Sequence, residues 1–238
     1  QAATASLILP RMSAELQERT MAEIMATASD VFGKAGGKII GGHSSLGEEL
    51  TIGFTVTGLT KKPITLAGAT AGDALIITKP IGSGTIMAAE MAGKANGADV
   101  IACFDFMVQD QARASEILSK AHAMTDITGF GLAGHLRGIC DASGVGAELC
   151  LDQIPLMDGA LELSAAGIRS SLFEDNRAGA GPIEGPQFDL LFDPQTAGGL
   201  LAAVAPDQAK AAVKALIKAG YQAAVVGQIN DGVAIKTI

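Results

Sequence analysis

The sequence predicts an α+β fold, and three observations carry that prediction. Apolar runs of strand length mix with helical periodicities but do not alternate strictly with them, which disfavours a doubly wound parallel sheet. The 30 glycines and 8 prolines exceed the roughly 12% of average usage for the two together. They fall in short clusters between apolar segments, as turns and backbone-lined pockets require. With no Trp, one Tyr and 48% hydrophobic residues, the core has to be built from Ala, Leu, Ile, Val and Met.

Residues 3–9 are apolar and read as a strand closed by Pro10. Ser13 has the character of a helix N-cap, with Glu15 in the first turn. Leu16, Met21, Ile24, Met25, Ala28, Val31 and Phe32 then recur at helical spacing as far as Gly33. A short strand at 38–40 leads into Gly41, Gly42, His43 and Ser44. Leu50, Ile52, Phe54 and Val56 alternate, so 49–57 reads as a half-buried strand. Residues 58–70, with Pro63 inside, form a connector, and the domain boundary is placed between 66 and 67.

The second unit opens with an apolar strand at 74–77 and a glycine turn at Gly82 and Gly84, then a helix at 85–91. A helix is expected over 109–124, a glycine-punctuated turn over 125–134 and a helix from 132 to 140. A strand at 147–151 and a helix at 160–166 follow, and 173–187 is aperiodic and reads as loop. The end of the chain reads as a strand at 200–204, a helix at 208–219 and two closing strands at 223–229 and 233–238. The turn Asn230-Asp231-Gly232 would join these last two.

Composition excludes several functions. The net charge of -8 and pI near 4.8 are wrong for a protein that grips a nucleic-acid backbone. The scarcity of aromatics removes stacking platforms for single strands. No uninterrupted apolar run approaches the ~18 residues of a membrane span. Cys103, Cys140 and Cys150 form no C-x-x-C pair, as expected for buried thiols in a reducing, cytoplasmic compartment. None of this excludes a nucleotide, whose charge metal ions and backbone N–H groups can meet.

Three segments have the residue types for such chemistry. Gly41 and Gly42 let main chain approach a ligand, with His43 and Ser44 directly after them; a solvated hairpin turn is the alternative. Asp126, in MTDITGFG at 124–131, ends an apolar stretch and precedes a glycine-rich helix start. It is placed either to complete an oxygen shell around Mg²⁺ or to cap the helix. DPQTAGGLL at 193–201 is accounted for by turn chemistry. Lys79, in a TKP run before Gly82 and Gly84, is an anion partner or a solvated strand-end lysine. His122 and His135 read as helix-face residues.

Taken together, GGHS at 41–44, ITKPIGSG at 77–84, MTDITGFGLAGHL at 124–136 and DPQTAGGLL at 193–201 resemble selenophosphate synthetase (selenide, water dikinase). The last two stretches separate that family from its superfamily relatives that make aminoimidazole ribotide or mature hydrogenase. The resemblance implies a C-terminal α+β domain of the aminoimidazole ribotide synthetase-like fold at 67–238. Residues 1–66 would be the remnant of an N-terminal ATP-binding α+β domain. It further implies selenophosphate synthesis from ATP, selenide and water with release of AMP and phosphate, in a homodimer. By motif match, Asp126 would be a Mg²⁺ ligand, and Gly42, His43 and Ser44 would touch ATP. The family's leading portion, with its Gly-rich segment, catalytic Cys or selenocysteine, nearby Lys and further metal-binding Asp residues, has no counterpart here. The expectation is that these lie upstream of Gln1 and that the 238-residue chain alone does not hydrolyse ATP. A synthetase acting on another substrate and a non-catalytic module that kept the fold are the alternatives.

Overall fold

The computed structural model describes residues 1–238 and divides into two compact units, Gln1–Pro63 and Ile64–Ile238. The break falls at Pro63 because the residues after it are tied to the second unit. Thr65 O accepts from Met124 N, and the Ser143 hydroxyl accepts from Gly68 N and Ala69 N while donating to Leu66 O.

In the first unit, β1 (Ala2–Pro10) is the central strand, flanked by β2 (Lys38–Gly47) and β3 (Thr51–Thr57). It runs parallel to β2 and antiparallel to β3. Its alternate residues Ala3, Ala5, Leu7 and Leu9 are buried, as period-two patterning demands. The helix α1 (Ala14–Lys34) starts where the Ser13 hydroxyl accepts from Leu16 N at 3.4 Å. The expected strand at 49–57 begins two residues late, and none of its apolar residues is fully buried: Phe54 is partly covered, and Ile52 and Val56 are exposed. Phe32 of α1 packs edge-on against Phe54 of this strand at 5.4 Å.

The second unit is a seven-stranded sheet with helices on both faces. In chain order it comprises β4 (Ala74–Ile77), α2 (Ser83–Met91), α3 (Gly97–Val108), α4 (Ala112–Ile117), β5 (Ala123–Asp126) and α5 (Gly131–Ser143). Next come β6 (Gly146–Leu149), α6 (Ala160–Ala165), α7 (Phe173–Gly179), β7 (Ile183–Glu184), β8 (Leu200–Val204), α8 (Pro206–Lys218), β9 (Ala224–Asn230) and β10 (Ile235–Thr237). The strand order is β5-β8-β4-β9-β6-β10-β7, and only the two β10 pairings are parallel.

The central strands are apolar throughout because both of their faces are covered. Ile76, Ala202 and Val204 point into a core closed by Ala114 of α4 and Ala209 and Leu216 of α8. Leu75, Ile77, Leu201 and Ala203 point the other way, onto Ile86, Cys103, Leu132 and Leu136 of α2, α3 and α5. No helix of the chain is long and apolar enough to cross a membrane.

Three expectations fail here. The helix over 109–124 is only α4, since residues 123–126 pair with β8 as a strand. The 173–187 stretch contains α7 and β7. The closing strands β9 and β10 do not pair with each other, because β6 lies between them.

Candidate active site

Gly42, His43 and Ser44 do not form a hairpin turn. They lie within β2, in register with Ala5, Ser6 and Leu7 of β1. Gly42 is obligatory there: a Cβ would fall inside the van der Waals shell of the Ala5 carbonyl oxygen. A cavity of about 360 Å³ opens beside these residues, walled by Met21, Met25 and Ile39 as well as Gly42, His43 and Ser44. The chemistry it offers is an apolar wall with main-chain, imidazole and hydroxyl groups at one side.

Asp126 belongs to the second unit and ends β5 with its side chain exposed. It does not cap α5. The N-cap of that helix is Phe130, and no side chain bonds there. Asp126 Oδ1 is approached only loosely, by the Thr125 hydroxyl at 3.4 Å.

The strap 127–130 that follows Asp126 is fastened on every side. Ile127 N donates to Gly199 O at 2.7 Å, and Gln195 N donates to Thr128 O at 2.9 Å. Thr128 N donates to Nε2 of His135 at 2.9 Å. That imidazole is therefore neutral and carries its proton on Nδ1. Burial holds the His135 pKa below its ordinary value, against the opposing pull of the Asp126 charge. Asn176 of α7 donates to both Gly129 O (2.8 Å) and Phe192 O (2.9 Å).

The DPQT segment does far more than turn. Gln195 Oε1 accepts from Gly82 N, Ser83 N and Ser83 Oγ, while Nε2 donates to the main-chain and side-chain oxygens of Asp193. Asp193 also accepts from Gly84 N at 3.0 Å and Thr85 Oγ1 at 2.8 Å. Burial raises its pKa, and those hydrogen bonds pull it partway back. The ITKPIGSG, MTDITGFG and DPQTAGGLL segments thus meet in one joint behind Asp126.

Lys79 is not solvated. It is 1% exposed, and its Nζ donates to Phe106 O at 2.6 Å and Ala197 O at 2.8 Å. Nor is His122 a helix-face residue; it precedes β5, and its Nδ1 lies 2.9 Å from a carboxylate oxygen of buried Asp73. Sequence reasoning missed Asn176, Asp193 and Gln195 as organising residues. The last two were within reach, because polar side chains beside paired glycines in an apolar context are candidates for buried joints.

As a metal ligand, Asp126 fits Mg²⁺ in donor type, offering a hard, accessible carboxylate. No group of three or more His, Cys, Asp or Glu side chains that could hold a metal ion is present, so it fits as one ligand of a shell completed elsewhere.

Comparison with known proteins gives the class first. Residues 70–238 match the family profile of the AIR synthase related protein, C-terminal domain. The chain is 35% identical over 230 residues to a selenide, water dikinase of Nitratidesulfovibrio vulgaris, covering 90% of this chain and 65% of that one. It is 38% identical over 221 residues to that of Pelobacter propionicus, covering 85% and 62%. With that of Bdellovibrio bacteriovorus the identity is 32%, covering 95% and 68%. The chain belongs to the selenide, water dikinase family within the AIR synthase-related proteins. It spans 65% and 64% of the first two relatives' lengths. Among solved structures, thiamine monophosphate kinase from Aquifex aeolicus (TM-score 0.72, 18% identity, 100% of this chain and 72% of that one) shares the fold. So does the E. coli hydrogenase maturation protein HypE (TM-score 0.72, 17% identity, 100% and 69%).

Proposed function

We propose that this chain is the larger part of an enzyme that makes selenophosphate from ATP, selenide and water, releasing AMP and phosphate. The supporting observation is the joint behind Asp126. Three of the segments that carry the family resemblance converge there, and what they hold out to solvent is a single exposed carboxylate.

In this reading Asp126 holds Mg²⁺, and bound Mg²⁺ would offset polyphosphate charge during phosphoryl transfer. The chain's own residues do the rest of what lies within it. His135, Asn176 and the 193–199 loop fix the strap, so Asp126 is positioned before the nucleotide arrives. Gly42 keeps β2 close against β1, which sets His43 and Ser44 at the mouth of the 360 Å³ cavity, where we place ATP contacts. The remaining metal-binding carboxylates and the catalytic Cys and Lys come from sequence outside these 238 residues. The intact protein pairs through its first unit, whose Ile40, Leu46 and Val56 are more than half exposed.

The test is ³¹P NMR of the protein expressed from its complete reading frame, incubated with ATP, Mg²⁺ and selenide. Selenophosphate and AMP form in equal amounts, and Asp126→Asn lowers their rate at least about a hundredfold. The purified 238-residue chain releases no AMP. Full turnover by Asp126→Asn, or AMP release by the chain alone, overturns the proposal.

A further inference from the structure

Lys79 is a buried cation with no carboxylate in contact. Its ammonium is held by two carbonyls, Phe106 O in the last turn of α3 and Ala197 O in the 193–199 loop. The helix end suits a cation, since the last carbonyls lack intrahelical partners and carry partial negative charge. The second carbonyl is the unusual one. Ala197 is the only non-glycine residue of the chain with positive φ, at 48°, a conformation that disfavours a Cβ and persists only where the surroundings impose it. Immediately after it, Gly198 packs so closely on the Ile127 carbonyl that no Cβ fits, and Gly199 O takes the Ile127 amide. Ile127 adjoins Asp126.

We infer that Lys79 is a positioning residue, whose ammonium pins Ala197 in its left-handed turn and thereby seats the 198–199 loop against the strap that presents Asp126. Its importance for catalysis rests on the metal-binding reading of Asp126; the mechanical linkage itself does not. Each link is a named contact: Lys79 Nζ to Ala197 O, Gly198 against Ile127 O, Gly199 O to Ile127 N. Burial pushes the Lys79 pKa down to about 8, with the charge of Asp110 opposing it. The amine remains a hydrogen-bond donor in either protonation state.

The linkage is tested on the full chain by residue-resolved amide hydrogen exchange, which needs neither metal nor nucleotide. Lys79→Met keeps the length and removes the donor. Exchange at Ile127 is expected to accelerate at least about tenfold, while Leu216 in α8 keeps its protection. Adding Ala197→Gly to that variant restores Ile127 to within about threefold of the native rate, because glycine adopts positive φ without the clamp. Ala197→Val is the companion variant. Position 197 is exposed, so the added bulk meets no core, yet a β-branched side chain resists the left-handed turn. It should release Ile127 as Lys79→Met does. Unchanged exchange at Ile127 in either single variant overturns the inference. So does a loss of protection throughout Lys79→Met that Ala197→Gly fails to restore, since Lys79 would then be a general core residue. These outcomes are independent of Asp126→Asn turnover, so the linkage and the metal reading can fail separately.

Discussion

Replacing Gln195 by Leu tests whether the joint behind Asp126 is held by polar groups or merely contains them. Gln195 is 4% exposed and its side chain makes five hydrogen bonds. Leucine fills much of the same volume with none of them. Gly82 N and Ser83 N, both buried with the side chain, then lose their acceptor at 2.9 and 3.2 Å. A buried donor left unpaired costs about 1–3 kcal/mol, so the two together cost about 2–6 kcal/mol. Transfer of the more apolar side chain offsets about 1–2 kcal/mol. The net expectation is a loss of about 0–5 kcal/mol, centred on about 2.5 kcal/mol, a large share of a domain stability of about 5–15 kcal/mol. Urea unfolding followed by circular dichroism measures it, with the slope unchanged if the unfolding reaction stays the same. Gln195→Glu sharpens the test. It keeps an oxygen facing Gly82 N but sets a second carboxylate where Nε2 now lies 2.9 Å from Asp193 Oδ2. Two such charges cannot both ionise in a buried site, so this variant should be weaker at pH 7.5 than at pH 5. A Leu variant as stable as native or more stable, or a Glu variant as stable as native at pH 7.5, would refute the reasoning.

Two further outcomes are expected. Gly42→Ala forces β2 away from the Ala5 main chain and should cost the first unit about 1–3 kcal/mol, read as faster amide exchange in β1. Gly41→Ala, where nothing lies within 4 Å of an added Cβ, should leave that exchange nearly native, and equal effects at both positions would refute the close-approach argument. Asp193 has a pKa above its ordinary value in the folded chain, so the native state holds its proton more tightly than the unfolded one. Its contribution to stability is therefore fully present below the ordinary carboxylate value and declines as pH rises through the raised one. Asp193→Asn should remove that decline, seen as a flatter difference in urea midpoint between pH 4 and 7; an unchanged slope would count against the burial argument.

What the sequence made legible follows from how local each signal is. The runs at 74–77 and 200–204 coincide with β4 and β8, since a strand buried on both faces shows itself as unbroken apolar sequence. Ser13 and the periodicity after it mark α1, because capping and amphipathicity act within a few residues. The failures are tertiary. Nothing local ends a helix at Ile117, but Ala123, Met124, Thr125 and Asp126 find partners on β8, and that ladder takes the chain out of helix. The Asn230-Asp231-Gly232 turn carries proper hairpin chemistry. Yet β10 pairs with β6 and β7, strands whose availability no local pattern records.

The site divides along the same line. Asp126 and the Gly42, His43 and Ser44 run could be singled out because polar side chains beside glycines stand out in an apolar neighbourhood; their part in ligand binding is the one proposed above. Asn176 and Lys79 were not recognisable as structural, and Asp193 and Gln195, read as part of a turn, were not recognised as buried. Polar residue types are read as surface, and only the fold reveals that each is buried and has hydrogen-bond partners between 16 and 118 positions away in sequence. A turn tolerates many sequences, but a joint in which Gly84 abuts Pro194, Gly198 abuts Ile127 and Gly199 abuts Lys79 has no room for a Cβ at any of the three. Such a joint constrains sequence on all of its sides at once, so the glycine excess of this chain is in part the imprint of three loops packed against one another.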